Sequence, residues 1–436
     1  MAPTAQQDVL KRIDDAELKE MMLDVVNIPS LTGDEEALGE YLARCFLDLG
    51  MEVELQEVEP TRQNVLARWR GTGGGPTVML LGHMDTAPYV PSVNPNRLRP
   101  HGRPLGGIVD GNWVYGPGAS NMKCCFPAYY QLVKAVRDAR VPLRGDILIA
   151  AVVGEIEKSP IDQYQGKNYR GSALGARYMV NKGIRADYCL NGEPTGLRVQ
   201  MGNTGYIFAK FTTRGIVTHT CSKQLGVCAY KKMTTVIEAL EAWEPKYQKR
   251  HPHPFMEVRV GIGGIQGGFP YTPSRNPMPE CNLYVHVTML PGQTVGSVEE
   301  ELGELLGALE AEDTALKPEL LIYSANNGYE IPLNHPLVQV MDRAHETVFG
   351  AASIRPEPGR YSVSSDCSPL FEYHIPGITY GAGGLGRKGV HVAYDAELGE
   401  VVSLEHLRQA TEVYTVGTLE LAGGAGGSGA ARLPRR

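Results

Sequence analysis

The order of apolar and polar positions divides the chain into two regimes. Residues 7 to 50 carry two helix-spaced apolar patterns separated by NIPSLTGDEE, where Thr32 or Asp34 ahead of acidic residues is expected to cap the second helix. MEVELQEVE and NVLARWRG then alternate as strands do. After the break GGGP, the segment TVMLLGHMD is a continuous apolar run of the kind buried in a parallel or mixed sheet. CCFPAYYQLVKAVRDA has helical spacing, GDILIAAVVGE is a second buried strand, and SALGARYMVNKG is a helix ending at glycine. ADYCLNGEPT is a third strand, ending in a carboxylate. Strands alternating with helices predict an α/β layer structure.

The pattern changes after residue 201. YIFAKFTTRG alternates, KKMTTVIEALEAWEPKY is helical, MEVRVGIGGIQGG and CNLYVHVTML read as strands, and SVEEELGELLGALEAE is helical. This order predicts a smaller α+β domain over 202–324. The glycines of GIGGIQGG read as a strand bend, since no helix start or Lys-Ser/Thr follows them. From PLVQVMDRAHETVFG the α/β pattern resumes, and IPGITYG is strand-like. The expected division is therefore 1–201 with 325–422, interrupted by 202–324. The last stretch, 423–436, is too poor in apolar residues to pack and is expected to be a disordered tail.

Composition narrows the function classes. With 42% apolar and 21% charged residues, the 436-residue chain reads as an ordinary soluble globular protein. A net charge of -7 argues against nucleic acid or an anionic membrane as partner. The first twenty residues are polar and lack the apolar stretch of a signal peptide. The eight cysteines are scattered with no CxxC pair, so they read as reduced thiols and the expected compartment is the cytoplasm.

The candidate chemistry sits at strand ends of the α/β region, where sites in such sheets form. His83 and Asp85 follow TVMLL, Asn121 follows the glycine turn of YGPGASNMK, and Glu155 and Glu157 follow ILIAAVV. Glu193 follows DYCLN, and His391 lies in the glycine-rich GRKGVHVAYDAE. Two histidines and several carboxylates suit a divalent ion such as zinc, manganese or cobalt. Asp85, two residues from His83, can hold the imidazole in orientation. Asn121 is unexpected, because a metal that bridges or activates water usually takes a carboxylate. Asp366, in SVSSDCSP, reads as a residue supporting the site or capping a helix. His251 and His253, in KRHPHPF, read as a solvated loop.

These motifs, in this order from about residue 10 to about residue 420, resemble the metal-dependent amidohydrolases that include acetylornithine deacetylase, succinyl-diaminopimelate desuccinylase and the aminoacylases. GHMDT is similar to that family's His-x-Asp motif, GPGASNMK to its glycine-turn-Asp-Met-Lys motif, GEIEKS to its Glu-Glu pair, GEPT to the third ligand strand and VHVAYD to the C-terminal His motif. The resemblance implies a mixed-sheet α/β/α catalytic domain interrupted by an α+β lid and dimerisation domain. It implies that His83 and Glu193 bind one metal and His391 a second, and that Asn121 stands at the bridging carboxylate. Glu155 would be the general base that activates water, and the next ligand would be Ile156, or Glu157 if the turn is shifted by one residue. One functional ion per subunit, or one tight and one weak, is then expected, with Asn121 a neutral ligand or a substrate contact.

In the inserted domain, GIVTHTC resembles the segment whose His reaches a partner's active site to stabilise an oxyanion, here His219. RNPMPECNLYVHVTML retains Asn276 but has Thr288 where the family has an Arg for a substrate carboxylate; Arg275, Arg360 or Arg387 could take that contact. The implied activity is hydrolysis of a small-molecule C–N bond, as in a deacylase or amidase, by a homodimer or higher homo-oligomer assembled through the inserted domain. Two rivals stand beside it. One is an aminohydrolase releasing ammonia from an activated aromatic amine such as a nitroanthranilate, and the other is an inactive binding or scaffold homologue.

Overall fold

The computed structural model describes residues 3–87, 106–358, 363–385, 394–395 and 399–423. The chain divides into two compact units: Met1–Gly202, Glu330–Pro356 and Ser365–Arg436 form the first, and Asn203–Tyr329 with Glu357–Ser364 the second.

The first unit is built on a six-stranded mixed sheet. Its order is Glu52–Glu59, Arg62–Trp69, Ile147–Val152, Val78–His83, Tyr188–Asn191 and Gly377–Thr379. The first two strands form an antiparallel pair, and Arg62–Trp69 also runs antiparallel to Ile147–Val152. The remaining pairings are parallel. The two continuous apolar runs, Val78–His83 and Ile147–Val152, are buried along their whole length, as strands covered on both faces must be. Helix Cys125–Asp138 lies close on one face, where a Cβ on Gly82 would meet Cys125 Sγ at 2.5 Å. The short helix Cys367–Glu372 covers the other, where a Cβ on Gly377 would meet Cys367 Sγ at 2.9 Å. This is the expected α/β/α layering.

The second unit is a four-stranded antiparallel sheet in the order Val260–Gly267, Glu280–Met289, Gly205–Arg214 and Glu319–Asn326. Ile207, Ala209 and Phe211 join Leu283, Val285 and Val287 in one core with Met233 and Leu240 of helix Ala229–Arg250 and Val298 and Leu302 of helix Val295–Glu312. The glycine-rich strand does bend, with a register shift between Ile262 and Gly264. The edge strand Glu319–Asn326 escapes a reading of the sequence because its burial pattern alternates only weakly. Glu357–Ser364, expected to fold with the α/β region, falls in the second unit. Asn203 Nδ2 donates to the Val363 carbonyl at 2.9 Å and Asn326 Nδ2 to Ser364 Oγ at 2.9 Å. Residues 424–436 lie outside the described residues.

The expected helix cap is not formed. Helix Glu36–Asp48 has Glu35 at its N-cap without a side-chain hydrogen bond. Thr32 Oγ1 instead donates to Asp85 Oδ2 at 2.9 Å, so a tertiary partner takes the hydroxyl. Glu35 is fully buried and makes a two-point pair with the buried Arg62, Nη2 to Oε1 at 2.7 Å and Nε to Oε2 at 3.0 Å. Arg62 also donates to Glu59 at 2.9 Å and to the Arg170 carbonyl at 2.8 Å. One guanidinium thereby ties the Glu35 turn to the loop following Glu155. Glu35→Ala should destabilise the first unit by about 3–5 kcal/mol, because it leaves a buried charge without its counter-ion. Glu52→Ala, at an exposed pair with Arg70, should leave the urea midpoint nearly unmoved. Equal midpoints for the two variants would remove the Arg62 network from the account of stability.

Candidate metal centre

Three carboxyl ends of neighbouring strands deliver the polar cluster. His83 is the last residue of its strand, Glu193 lies two residues beyond Asn191, and Glu155 three beyond Val152. Among the described residues, His83, Glu155 and Glu193 form a group whose ligand atoms all lie within 4.8 Å of one another, and all three are buried. His83 Nε2 is 3.3 Å from Glu193 Oε1, 3.6 Å from Glu155 Oε2 and 2.8 Å from Asn121 Oδ1. Its other nitrogen, Nδ1, lies 2.8 Å from the Asp85 backbone carbonyl and donates its hydrogen there. The two glutamate oxygens and the Asn121 oxygen thus gather around His83 Nε2. One imidazole with carboxylate and amide oxygens is a donor set that fits a borderline-hard divalent cation.

Asp85 does more than orient the imidazole. Its carboxylate is 3.5 Å from His83 Nδ1, a longer approach than its own carbonyl makes. Oδ1 accepts the Glu155 N–H at 2.9 Å, and Oδ2 accepts the Ile156 N–H at 3.2 Å besides the Thr32 hydroxyl. One buried anion therefore fixes the backbone that presents Glu155, while its main chain orients His83.

Asn121 is held from below. Gly118 has φ +78°, and a Cβ there would meet Lys123 Cγ at 2.7 Å, so the turn needs glycine. Glu400 Oε2 accepts the Ser120 N–H at 3.2 Å and the Asn121 N–H at 3.0 Å. Lys123 is buried beside this carboxylate and donates to the Ile28 carbonyl at 2.7 Å. Burial pushes its ammonium down to about 8, against the pull of Glu400. Sequence reasoning missed Glu400 and Thr32 in these roles. Glu400 is 279 residues from Asn121, so no spacing could have joined them.

Electrostatics follow the crowding. Burial raises the Glu155 carboxyl well above its usual range, and the Glu193 charge adds to the effect. Burial and Glu193 likewise push Glu157 up to about 7. For His83, burial alone would lower the imidazole, but the Glu155 and Glu193 charges carry it well above 6.5. The metal-free fold therefore gains stability from imidazolium below pH 6.5 and loses that gain as pH rises through the raised value.

Of the other expected site residues, Glu157 is half-buried and outside the three-residue group. His219 and Arg275 are exposed register partners in the second unit, next to the pair Thr218 and Asn276. Thr288 is buried, and its Oγ1 accepts the Arg259 N–H at 2.5 Å. His251 is not a solvated loop residue: it ends a helix and bonds Glu301 Oε1 at 2.6 Å. Asp366 caps no helix through its side chain. His391, Arg360 and Arg387 lie outside the described residues. Because a cation must displace the His83 proton, uptake of zinc or manganese should release protons, and apparent affinity should rise with pH. Calorimetry in buffers of different ionisation enthalpy measures this; uptake without proton release would contradict the protonated-imidazole account.

Comparison with known proteins agrees with this geometry. The model of the family described as Peptidase family M20/M25/M40 matches residues 79–416. The chain is 28% identical to an acetylornithine deacetylase of Vibrio atlanticus over 327 residues, 73% of this chain and 78% of that one. It is 27% identical to one of Edwardsiella ictaluri over 333 residues, 73% and 80%. Human carnosine dipeptidase 1 has a similar fold, with TM-score 0.74 and 15% identity over 96% of this chain and 99% of that one. A Bacillus subtilis protein described as a dinuclear metal binding peptidase from the M20 family has TM-score 0.62 at 14% identity, over 94% and 99%. Matched over most of its length, the chain belongs to the peptidase family M20/M25/M40 and is a metal-dependent hydrolase of C–N bonds.

Proposed function

We propose that the protein is a deacylase, cleaving the N-acyl C–N bond of a small molecule, with one functional divalent ion per subunit. The observation that carries this reading is the convergence of His83 Nε2, Glu193 Oε1, Glu155 Oε2 and Asn121 Oδ1 at one buried point. His83 and Glu193 would hold the ion, with Asn121 as a neutral oxygen ligand. An ion there supplies Lewis acidity toward a carbonyl oxygen and toward water.

Glu155 then acts as the base. Its carboxylate Oε2 takes a proton from the attacking water, and the same oxygen returns it to the leaving nitrogen, so that amide and water become acid and amine. The raised pKa of Glu155 makes the return step easier than for an ordinary carboxylate. Asp85 keeps this oxygen in place by binding the Glu155 and Ile156 amides. The acetylornithine deacetylase relatives support an N-acyl substrate. We assign His219 and Asn276 to stabilising negative charge in a homodimer partner, a role supported by the resemblance and by their adjoining strands. Thr288 in place of Arg leaves the substrate-carboxylate contact to Arg275, Arg360 or Arg387.

The single-ion reading rests on Asn121. A carboxylate bridges two cations with two anionic oxygens, and an amide offers one neutral oxygen. Elemental analysis should find one ion per subunit in the wild type and two in Asn121→Asp. Two ions in the wild type would overturn the explanation given for the asparagine. Glu155→Gln should keep its ion and lose about 10²–10⁴-fold in kcat on an N-acetyl amino acid panel. An unchanged rate would take Glu155 out of the mechanism.

A further inference from the structure

Beside the His83 end of the sheet lies a group of buried polar side chains that the proposed reaction does not use. Asn191 and Thr379 end neighbouring parallel strands and are register partners. Asp366 and Ser368 flank Cys367 at the start of the helix Cys367–Glu372. None of the four is more than 2% exposed. Both polar atoms of the Asn191 amide, both oxygens of Asp366, and the hydroxyls of Ser368 and Thr379 have no hydrogen-bond partner among the described residues. Such groups are ordinarily satisfied, and several together call for an explanation.

Strand alternation gathers them. The helix lies against Gly377, and Thr379, two residues on, points to the same face. Cys189 is the register partner of Gly377, so Asn191 shares that face with Thr379. Asn191 is also the partner of Leu81, two residues before His83, and the imidazole therefore leaves the sheet on this side too. Burial raises the Asp366 carboxyl well above its usual range, with His83 opposing the rise and the Glu193 and Asp85 charges adding to it. It does not cap its helix, since Ser365 Oγ accepts the Cys367 N–H at 3.2 Å.

Asn191 Nδ2 and two hydroxyls could each donate to the Asp366 carboxylate, yet none does. A ligand held among them would satisfy their oxygen atoms together. The available ligand atoms are a carboxylate, an amide carbonyl and two hydroxyls. An all-oxygen set suits hard cations, and one formal negative charge balances a monovalent ion. A cation there would favour the ionised form of Asp366, which burial and the neighbouring Glu193 and Asp85 charges otherwise oppose.

We propose that Asp366, Asn191, Ser368 and Thr379 form a site for a monovalent cation, sodium or potassium, separate from the divalent-ion ligands and independent of the deacylase reading. The ion fastens the short helix to the sheet next to Glu193.

The test is thermal unfolding of the full-length protein, dialysed into tetramethylammonium chloride and titrated at constant ionic strength with potassium or sodium chloride. The wild-type midpoint should rise saturably, and the salt with the lower half-saturation identifies the preferred ion. Asp366→Asn should abolish the response while still taking up a divalent ion at His83. Thr379→Val, which keeps the charge, should shift half-saturation to higher concentration and decides the matter if Asp366→Asn does not fold. The same wild-type midpoint in all three salts would mean that water alone meets these groups and would overturn the proposal. A full response retained in either variant would overturn it as well.

Discussion

The site depends on the Asp85 carboxylate. It is buried completely and takes hydrogen bonds from Thr32, Glu155 and Ile156, which come from two separate stretches of chain. Hydrogen bonds to an anion are short and strong, and inside a protein they are strengthened further by the low dielectric. The same residue's carbonyl fixes the His83 tautomer. Glu155 and His83, from different strands, are thereby referred to one point, so their separation does not depend on either loop alone. The Arg62 network has the matching role in the next layer outward, joining Glu35 to the carbonyl of Arg170.

That arrangement has an electrostatic cost. Glu155, Glu193 and Asp85 are buried together with one imidazole, and no arginine or lysine bonds to any of the three among the described residues. Desolvation and the Glu193 charge raise Glu155, and the charges of Glu155 and Glu193 draw a proton onto His83 against its own burial. Lys123 is near, but its ammonium is turned to Ile28 and its charge is matched by Glu400. The pocket is therefore short of positive charge, a shortage that a divalent ion relieves.

The strand-end residues were legible in sequence because their signal is local. A buried apolar run followed at once by His-x-Asp or Gly-Glu-Pro places polar atoms at a sheet edge whatever the rest of the chain does. The layer architecture was legible for the same reason. What the sequence hid are the partners supplied by distant segments. Thr32 looked like a cap because the cap signature is local, and its true partner is Asp85, 53 residues away. Glu400 looked like an ordinary acidic residue after a glycine. Asn191 and Thr379 sit inside apolar strand ends, where one polar letter changes the pattern little. Of the two roles the sequence suggests for Asp366, supporting the site or capping a helix, the cap is not formed.

The asparagine at 121 is best understood against this charge shortage. An aspartate at that position would add a further anion, which a second cation or a bound proton would have to offset. An amide keeps an oxygen 2.8 Å from His83 Nε2 without adding charge, so the site needs less compensation. Its turn is kept in place by the Glu400 carboxylate, which binds the Ser120 and Asn121 amides. The anion that a two-ion site would place at the bridge is absent from residue 121, and the anion beneath it serves the backbone and faces Lys123. Position 121 thus keeps an oxygen beside His83 without adding charge, and the one-ion proposal rests on that difference.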